Sequence, residues 1–186
     1  MKFTIPNVLS VLRMGLVPLF IIAVLDGRPI RALVIFLVAG VTDALDGFIA
    51  RFANQQSLLG AYLDPIADKI LLTSAYISLS IPSLNHGAQI PVWITVLVIA
   101  RDLLIVAMAV ILALAAGIRK FPPSVLSKIN TTAQVVTVLV VLVSSTMPDL
   151  EPFATTLLYL VAVLTVSSGL DYVFRMSRLE RPSAVS

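Results

Sequence analysis

The sequence has no cysteine, one histidine and one tryptophan, and only 12% of its 186 residues are charged. Without cysteine there is no disulfide framework, no thiolate nucleophile and no cysteine-based zinc site. Soluble domains are roughly 25% charged and roughly 45–50% apolar, whereas this chain is 59% apolar. A soluble fold of this length could not hide so much apolar surface from water. The composition therefore excludes a soluble enzyme, a disordered chain and a collagen-like repeat.

Apolar residues fall into six stretches, which are separated by glycine, proline and asparagine or aspartate turn signals. Each stretch is close to the roughly 20 apolar residues that a membrane-spanning helix requires. We therefore predict a single catalytic domain over residues 1–186, an all-α integral membrane protein with six transmembrane helices. The predicted spans are 5–25, 30–51, 58–81, 91–116, 124–147 and 153–174.

Lysine and arginine predict the orientation, because these residues accumulate in cytoplasmic loops. With the N-terminus inside, the cytoplasmic segments contain eight basic residues and the opposite loops contain two. Both termini are therefore predicted to lie in the cytoplasm (N-in/C-in). The same bias accounts for the net charge of +3 without a nucleic-acid partner. Because the first apolar stretch begins almost at once, with no organelle-targeting extension, we expect a bacterial cytoplasmic (inner) membrane as the location.

Acidic side chains inside the predicted spans are the strongest indication of function. Four aspartates form two closely spaced pairs, Asp43 with Asp46 and Asp64 with Asp68. Residues three or four apart share one helix face, and the short turn between the two helices makes the pairs neighbours. A carboxylate at the bilayer centre costs roughly 2.5–3.5 kcal/mol on insertion scales. Four converging carboxylates therefore require water, cations or both at the cytoplasmic end of the helices.

Carboxylates without histidine or cysteine are hard oxygen ligands, which suit Mg²⁺, Mn²⁺ or Ca²⁺ better than zinc or copper. Mg²⁺ and Mn²⁺ commonly act on substrate phosphates, and a pair of ions can hold both the attacking and the leaving oxygen. Gly47, Ala50 and Gly60 would leave a hollow beside the metals for a base or a phosphate. The alternative for these small residues is that they let helices pack closely.

Eight fixed positions occur in the order Asp43-x2-Asp46-Gly47-x2-Ala50-Arg51-x8-Gly60-x3-Asp64-x3-Asp68. This order resembles the signature of the CDP-alcohol phosphotransferase family at every position and spacing. The start of the chain, Ile5-Pro6-Asn7-x5-Arg13, is similar to the first helix of that family, which also has six spans. The resemblance covers most of the chain and implies the fold of the family. Arg13, a charge inside the first span, is expected to face the site rather than lipid.

The resemblance implies transfer of the phosphatidyl group of CDP-diacylglycerol to an alcohol acceptor, with release of CMP. In this interpretation the four aspartates bind Mg²⁺ or Mn²⁺ as two ions, and Asp68 is also the general base on the acceptor hydroxyl. The family is generally homodimeric, so a homodimer in contact with membrane lipids is expected. The residues implied to bind the CDP-linked substrate are Asn7, Gly47, Ala50, Arg51 and Gly60.

Two basic residues are candidate ligands of the acceptor, Arg101 in the fourth span and Lys128 at the start of the fifth. The alternatives are that Arg101 pairs with Asp102 or with another aspartate, and that Lys128 extends to the membrane interface. Family members that use glycerol-3-phosphate usually have Arg-Glu and Gly-Lys-x-Lys-Thr at these places. This chain has Arg101-Asp102 and, with one cation fewer, the run 127–131, Ser-Lys-Ile-Asn-Thr. These features resemble the cardiolipin-forming branch, so phosphatidylglycerol is the expected acceptor and glycerol-3-phosphate the alternative.

Two rival classes share part of this pattern. Membrane prenyltransferases also bind a diphosphate through Mg²⁺ and aspartate-rich motifs, but they are longer and lack the Gly-x2-Ala-Arg continuation. A cation transporter or channel also carries acidic residues in its spans. Such a path would distribute charges along the membrane depth, whereas here they cluster at one end. Release of CMP, as opposed to ion flux, distinguishes an enzyme from a transporter.

Overall fold

A computed structural model describes residues 5–52, 58–81, 89–115 and 124–179, and the side chains of 11–42, 66–81, most of 89–114 and 124–175. The described residues form six α-helices and one short 3-10 helix, Pro148–Leu150, and include no β-strand. The prediction of an all-α chain is therefore confirmed. The helices are α1 Ile5–Leu25, α2 Pro29–Phe52, α3 Leu58–Leu79, α4 Val92–Ala115, α5 Val125–Ser144 and α6 Glu151–Leu179.

The helix ends follow local signals in the sequence. Between α1 and α2, Gly27 has a φ of 65°, a left-handed conformation that glycine adopts without steric cost. The N–H of Gly27 donates to Val24 O at 3.0 Å and that of Arg28 to Ala23 O at 3.0 Å, the paired bonds of a Schellman cap. At the start of α5 the Ser124 hydroxyl accepts a hydrogen bond from the Ser127 N–H at 3.1 Å. These caps explain two of the turns that the sequence predicts.

Three helices have C-terminal ends that differ from the predicted spans by two residues or more. Helix α3 ends at Leu79 because the Ser80 N–H bonds back to Ile77 O at 3.1 Å, in a turn. Helix α5 ends at Ser144, where the hydroxyls of Ser144 and Ser145 bond to Val141 O and the 3-10 helix follows. Helix α6 continues past position 174 to Leu179, beyond the apolar stretch that predicted it.

The helices pack in a bundle around one apolar core. Helix α1 packs against α2 and α3, α5 packs against α6 and α2, and α4 packs against α6. The rings of Phe20 and Phe36 join α1 to α2, with centroids 5.7 Å apart. The middle of the bundle is filled by Tyr76, Leu79, Ile94, Val138, Val141, Leu142 and Val161, all nearly inaccessible to solvent.

Large apolar side chains also cover the outside of the bundle. Four of these side chains are each more than 60% exposed: Leu103, Leu114, Val125 and Val163. Exposure of large apolar side chains is unfavourable in water but not in lipid. Among the described residues, Val125–Ser144 and Pro148–Arg175 are long and apolar enough to cross a membrane. Only 33% of each of these two segments is buried inside the bundle, unlike the core helix of a soluble protein. The composition and the exposed surface indicate an association with membranes.

Candidate active site

Helices α2, α3, α4 and α5 surround a cavity of about 340 Å³. One part of its wall is apolar and another part carries charged and amide groups, so the cavity can accept an amphipathic ligand. The apolar part is formed by Phe36, Ala39, Gly40, Leu71, Leu72 and Val135. The polar part is formed by Asp68, Lys69, Asp102, Thr131, Thr132 and Gln134.

Asp68 lines this cavity and is paired with an arginine from another helix. Arg13 of α1 is fully buried, and its Nη1 donates to Asp68 Oδ1 at 2.5 Å. The Asp68 side chain is 48% exposed, so one end of the pair is inside the bundle and the other reaches the cavity. The expectation that Arg13 faces the site rather than lipid is confirmed. The buried guanidinium orients the Asp68 carboxylate by a charge-assisted hydrogen bond.

A second group of charges connects α3 to α4. Lys69, the residue after Asp68, places its Nζ 2.5 Å from Oδ2 of Asp102. The other oxygen of Asp102, Oδ1, accepts a hydrogen bond from Arg101 Nη1 at 2.9 Å. Each oxygen of the Asp102 carboxylate therefore has a cationic partner. Two cations and one carboxylate leave this group with a net positive charge beside the cavity.

Arg101 is a buried link between three helices. Its Nε donates to Ser168 Oγ of α6 at 2.9 Å, and its Nη2 donates to Ser127 Oγ of α5 at 2.7 Å and also to Ser168 Oγ. The side chain is only 6% exposed, and Asp102 rather than Arg101 lines the cavity. These contacts agree with the alternative that Arg101 pairs with Asp102. The role of Arg101 as a direct ligand of the acceptor stays a prediction.

Helix α5 contributes uncharged polar groups to the same region. Asn130 and Gln134 are almost completely buried, and Asn130 Oδ1 accepts a hydrogen bond from Thr165 Oγ1 at 3.1 Å. Within the described part of the chain, Asn130 Nδ2 and Gln134 Nε2 have no hydrogen-bond partner, which is costly for buried donors. Lys128 is exposed on the same helix, three and four residues before Thr131 and Thr132 of the cavity wall. Its predicted contact with the acceptor remains a prediction.

All eight signature residues lie on α2 or α3. The side chain of Asp68 is described, and the other seven are outside the described set. Helix α2 carries Asp43 and Asp46 one turn apart, and α3 carries Asp64 one turn before Asp68. Both helices pack against α1. The other predicted substrate residues that fall outside the described side chains are Asn7, Gly47, Ala50, Arg51 and Gly60.

The predicted metal site lies mostly outside the described side chains. Among the side chains that the structure describes, no three acidic or histidine side chains form a cluster, and three of the four predicted ligands are outside that set. The donor chemistry nevertheless fits, since Asp68 presents a half-exposed carboxylate at an open cavity and Mg²⁺ and Mn²⁺ prefer such oxygens. Helical backbone at Asp43, Asp46 and Asp64 keeps the one-turn spacing of both pairs.

The structure adds residues that the sequence interpretation missed. Lys69 and Gln134 line the cavity, although neither was a candidate ligand. Lys69 had a detectable signal, because a lysine inside a membrane span is rare and usually functional. Gln134, a polar residue within an apolar stretch, carries a weaker signal of the same kind.

Comparison with known proteins defines the class to which the chain belongs. The sequence model of one family, CDP-alcohol phosphatidyltransferase, matches residues 3–167. The chain therefore belongs to the CDP-alcohol phosphatidyltransferase family. The substrates of this family are CDP-diacylglycerol and an alcohol acceptor, and its members generally depend on a divalent metal.

Relatives from two branches of the family resemble the chain. It is 47% identical over 106 residues to the cardiolipin synthase (CMP-forming) of Rattus norvegicus, which is 56% of this chain and 33% of that protein. It is 46% identical over 106 residues to the human cardiolipin synthase (CMP-forming), covering 34% of that protein. The chain thus spans about a third of the length of these mammalian relatives. It is 36% identical over 179 residues to the CDP-diacylglycerol–glycerol-3-phosphate 3-phosphatidyltransferase of Haemophilus influenzae, covering 93% of each.

Proposed function

We propose that this chain transfers the phosphatidyl group of CDP-diacylglycerol to phosphatidylglycerol and releases CMP, as a cardiolipin synthase. Membership of the family supports the reaction class, and the identity to the mammalian cardiolipin synthases supports this acceptor. The observation that carries the proposal is Asp68, a carboxylate held by a buried arginine at the wall of an amphipathic cavity.

Asp68 is the general base in this proposal. It accepts the proton of the acceptor hydroxyl as that oxygen forms a bond to the lipid-side phosphorus of CDP-diacylglycerol. The bond between this phosphorus and the bridging oxygen of the diphosphate breaks, and CMP leaves with the electron pair. A base must reach the hydroxyl and keep its orientation during the transfer. The hydrogen bond from Arg13 Nη1 to Asp68 Oδ1 supplies that orientation.

Asp43, Asp46, Asp64 and Asp68 would hold the divalent metal, Mg²⁺ or Mn²⁺, as two ions. The metal would neutralise the diphosphate and so make CMP a better leaving group. Arg51 adds a fixed positive charge to the same diphosphate. Backbone and small side chains around these carboxylates bind the CDP group, together with the start of α1. The residues concerned are Asn7, Gly47, Ala50, Arg51 and Gly60.

The shape of the cavity supports a lipid acceptor. Phe36, Leu72 and Val135 form an apolar wall. An acyl chain can lie along this wall, because burial of apolar surface is favourable. Lys69 lies in the polar part and offers one positive charge. A phosphodiester carries one negative charge, which this single cation matches.

Glycerol-3-phosphate is the second candidate acceptor. The Haemophilus influenzae phosphatidyltransferase, whose name includes this acceptor, matches the chain along nearly its whole length. In that case Lys69, Lys128 and Arg101 together would have to neutralise a phosphate monoester, and the apolar wall would have no ligand.

The chain crosses the membrane six times as one domain, with both termini and the site at the cytoplasmic face, in a bacterial inner membrane and as a homodimer. The exposed apolar side chains on the outside of the bundle support contact of the helices with lipid. The rings of Trp93 and Tyr159 have centroids 6.3 Å apart, and both side chains are at least half exposed. They would mark the outer membrane–water interface, because such rings accumulate there.

The deciding experiment measures CMP release by the purified chain from CDP-diacylglycerol in mixed micelles, with each acceptor supplied in turn. We expect CMP release and formation of cardiolipin with phosphatidylglycerol. Turnover with glycerol-3-phosphate alone would favour the second candidate. Ion flux through liposomes without any CMP release would contradict both.

A further inference from the structure

One amide in the wall of the cavity has a hydrogen-bond donor that the protein does not use. Gln134 of α5 borders the cavity, and its side chain is only 1% exposed. Among the described residues its Nε2 has no hydrogen-bond partner, which is destabilising for a buried donor. A ligand in the cavity that accepts a hydrogen bond from this amide would offset that cost.

The other polar side chains of the described wall already have partners. The charged groups pair with one another or with Arg13. The hydroxyls of Thr131 and Thr132 each donate to a carbonyl oxygen one turn earlier on α5, at 3.1 Å. Within the described wall, the amide of Gln134 is therefore the neutral donor that is available to a ligand.

Gln134 lies where the polar part of the wall meets the apolar part. On α5 the polar Thr131 comes three positions before it and the apolar Val135 comes directly after it. A helix rises about 1.5 Å per residue, so Gln134 lies about 4.5 Å beyond Thr131 along the helix axis. The order on α3 is the same, because Asp68 is followed one turn later by Leu71. Polar groups thus give way to apolar groups along both helices, and Gln134 marks the boundary.

A diacyl phospholipid has its chemical groups in the same order. Its phosphate carries the charge, its acyl-ester carbonyls are neutral hydrogen-bond acceptors, and its acyl chains are apolar. When the phosphate lies in the polar part and a chain lies along the apolar wall, an ester carbonyl reaches the boundary between them. The terminal torsion of glutamine is broad, so the carboxamide of Gln134 can turn to direct Nε2 at this oxygen.

We propose that Gln134 binds an acyl-ester carbonyl of a lipid substrate, an inference that rests on the proposed function. The contact fixes how deeply the lipid enters the bundle and so keeps its reacting group level with Asp68. Two substrates of the proposed reaction carry such a carbonyl, CDP-diacylglycerol and phosphatidylglycerol. The chemistry of the contact is the same for either, and the experiment distinguishes them.

The test compares each ester lipid with an ether analogue of the same chain length, which lacks the carbonyl oxygen. Binding of the four lipids to the purified full-length chain is measured by equilibrium titration in detergent micelles. In the wild type, the ether analogue of the contacted lipid should bind about twofold to tenfold more weakly, as expected for loss of one neutral hydrogen bond. Gln134→Met keeps a side chain of similar length without a donor, and it should bind the ester lipid as weakly as the ether analogue.

Asn130 provides a matched control on the same helix. Its side chain is equally buried, and its Nδ2 also has no partner among the described residues. Asn130 is not among the residues of the described cavity wall. Asn130→Leu removes this second amide and should leave the ratio of ester to ether binding at the wild-type value. Thermal unfolding identifies any variant that has lost its fold.

The pair of lipids whose ratio changes in Gln134→Met identifies the contacted substrate. A wild-type ratio near one for both pairs overturns the carbonyl contact. A ratio that folded Gln134→Met leaves unchanged in both pairs also overturns it, and this result is expected if an ordered water accepts from the amide instead. An equal change in Asn130→Leu has the same consequence.

Failure of the proposed function is a separate result. A wild-type chain that releases no CMP from CDP-diacylglycerol with either acceptor overturns the proposed function. The titrations do not depend on turnover, so they decide the carbonyl contact independently. Turnover with glycerol-3-phosphate alone overturns the proposed acceptor, and the carbonyl contact is then decided by the pair of CDP-linked lipids.

Discussion

Helix α3, together with the turn that follows it, is joined to α4 at two places by contacts of different chemical kinds. In the neutral contact, the hydroxyl oxygens of Ser80 and Thr95 lie 2.5 Å apart, and Thr95 Oγ1 also donates to Tyr76 O at 3.2 Å. In the charged contact, Lys69 Nζ lies 2.5 Å from Asp102 Oδ2 at the cavity. The neutral contact is buried, whereas the charged contact is open to a ligand.

The neutral contact shows that two helices can be held together without charges. Hydroxyl pairs between membrane helices contribute modestly at little desolvation cost. The Asp102 carboxylate is only 15% exposed, and removing a carboxylate from water is costly, so its presence in the bundle is poorly explained by stability alone. The neutral contact is therefore interpreted as structural, and the charged contact, together with Arg13 and Asp68, as part of the substrate site.

Removal of divalent metal is expected to have the largest effect on the charged region. In the proposed metal site the four aspartates would repel one another without cations and the diphosphate would keep its full charge, so CMP release should fall to background. The measurement is CMP release in excess chelator, followed by addition of Mg²⁺ or Mn²⁺, which should restore it. Undiminished turnover in chelator would show that the carboxylates serve another purpose.

Neutralising the base is expected to have the next largest effect. In Asp68→Asn the kcat for CMP release should fall about 10²- to 10⁴-fold, the usual contribution of a positioned general base. Binding of CDP-diacylglycerol, measured by equilibrium titration, should largely survive. Asp171→Asn on α6 is the matched control. Full activity of Asp68→Asn would remove the assignment of the base.

Removing the arginine behind Asp68 should have a smaller effect. In Arg13→Gln the charge-assisted hydrogen bond to Asp68 is lost, and kcat should fall about tenfold to a hundredfold. Arg13→Lys, which keeps the charge but not the planar geometry, should lie between this variant and the wild type. A loss confined to the thermal unfolding midpoint, with kcat of the folded fraction unchanged, would mean that Arg13 is only structural.

Breaking the neutral contact should have the smallest effect. Thr95→Val removes the hydroxyl shared with Ser80 and should lower the free energy of unfolding by about 0.6–1 kcal/mol, as such contacts do in membrane proteins. Chemical denaturation in detergent measures this loss. The acceptor KM should stay at the wild-type value, and a clear rise in it would break the distinction between the two contacts.

Much of the fold was predictable, because its determinants are local. An apolar stretch of about 20 residues marks a helix, and residues such as Gly27 and Ser124 mark where a helix ends or begins. Neither signal depends on which helices pack next to it. The errors at α3 and α5 came from hydroxyl residues. Ser80 and Ser144 bond to backbone carbonyls and sit where the helix ends, although the apolar pattern continues.

The site was predictable only in part, because contacts between helices depend on packing. Arg13 was expected to face the site, and it does. Arg101 was a candidate ligand of the acceptor, with pairing to Asp102 as the alternative, and in the structure it donates to Asp102, Ser127 and Ser168. Ser168 lies 67 positions away, and no local pattern indicates that these two residues meet.

The six helices of the described residues, and the charged residues that each helix carries, could be predicted from the sequence alone, because helix formation and burial follow from neighbouring residues and from composition. Which of these charges form pairs depends on how the helices pack. Arg13 and Asp68 are 55 positions apart, and Lys69 reaches Asp102 from a different helix. The physical reason is that an ion pair needs two groups within a few ångströms, and the packing of helices sets that distance.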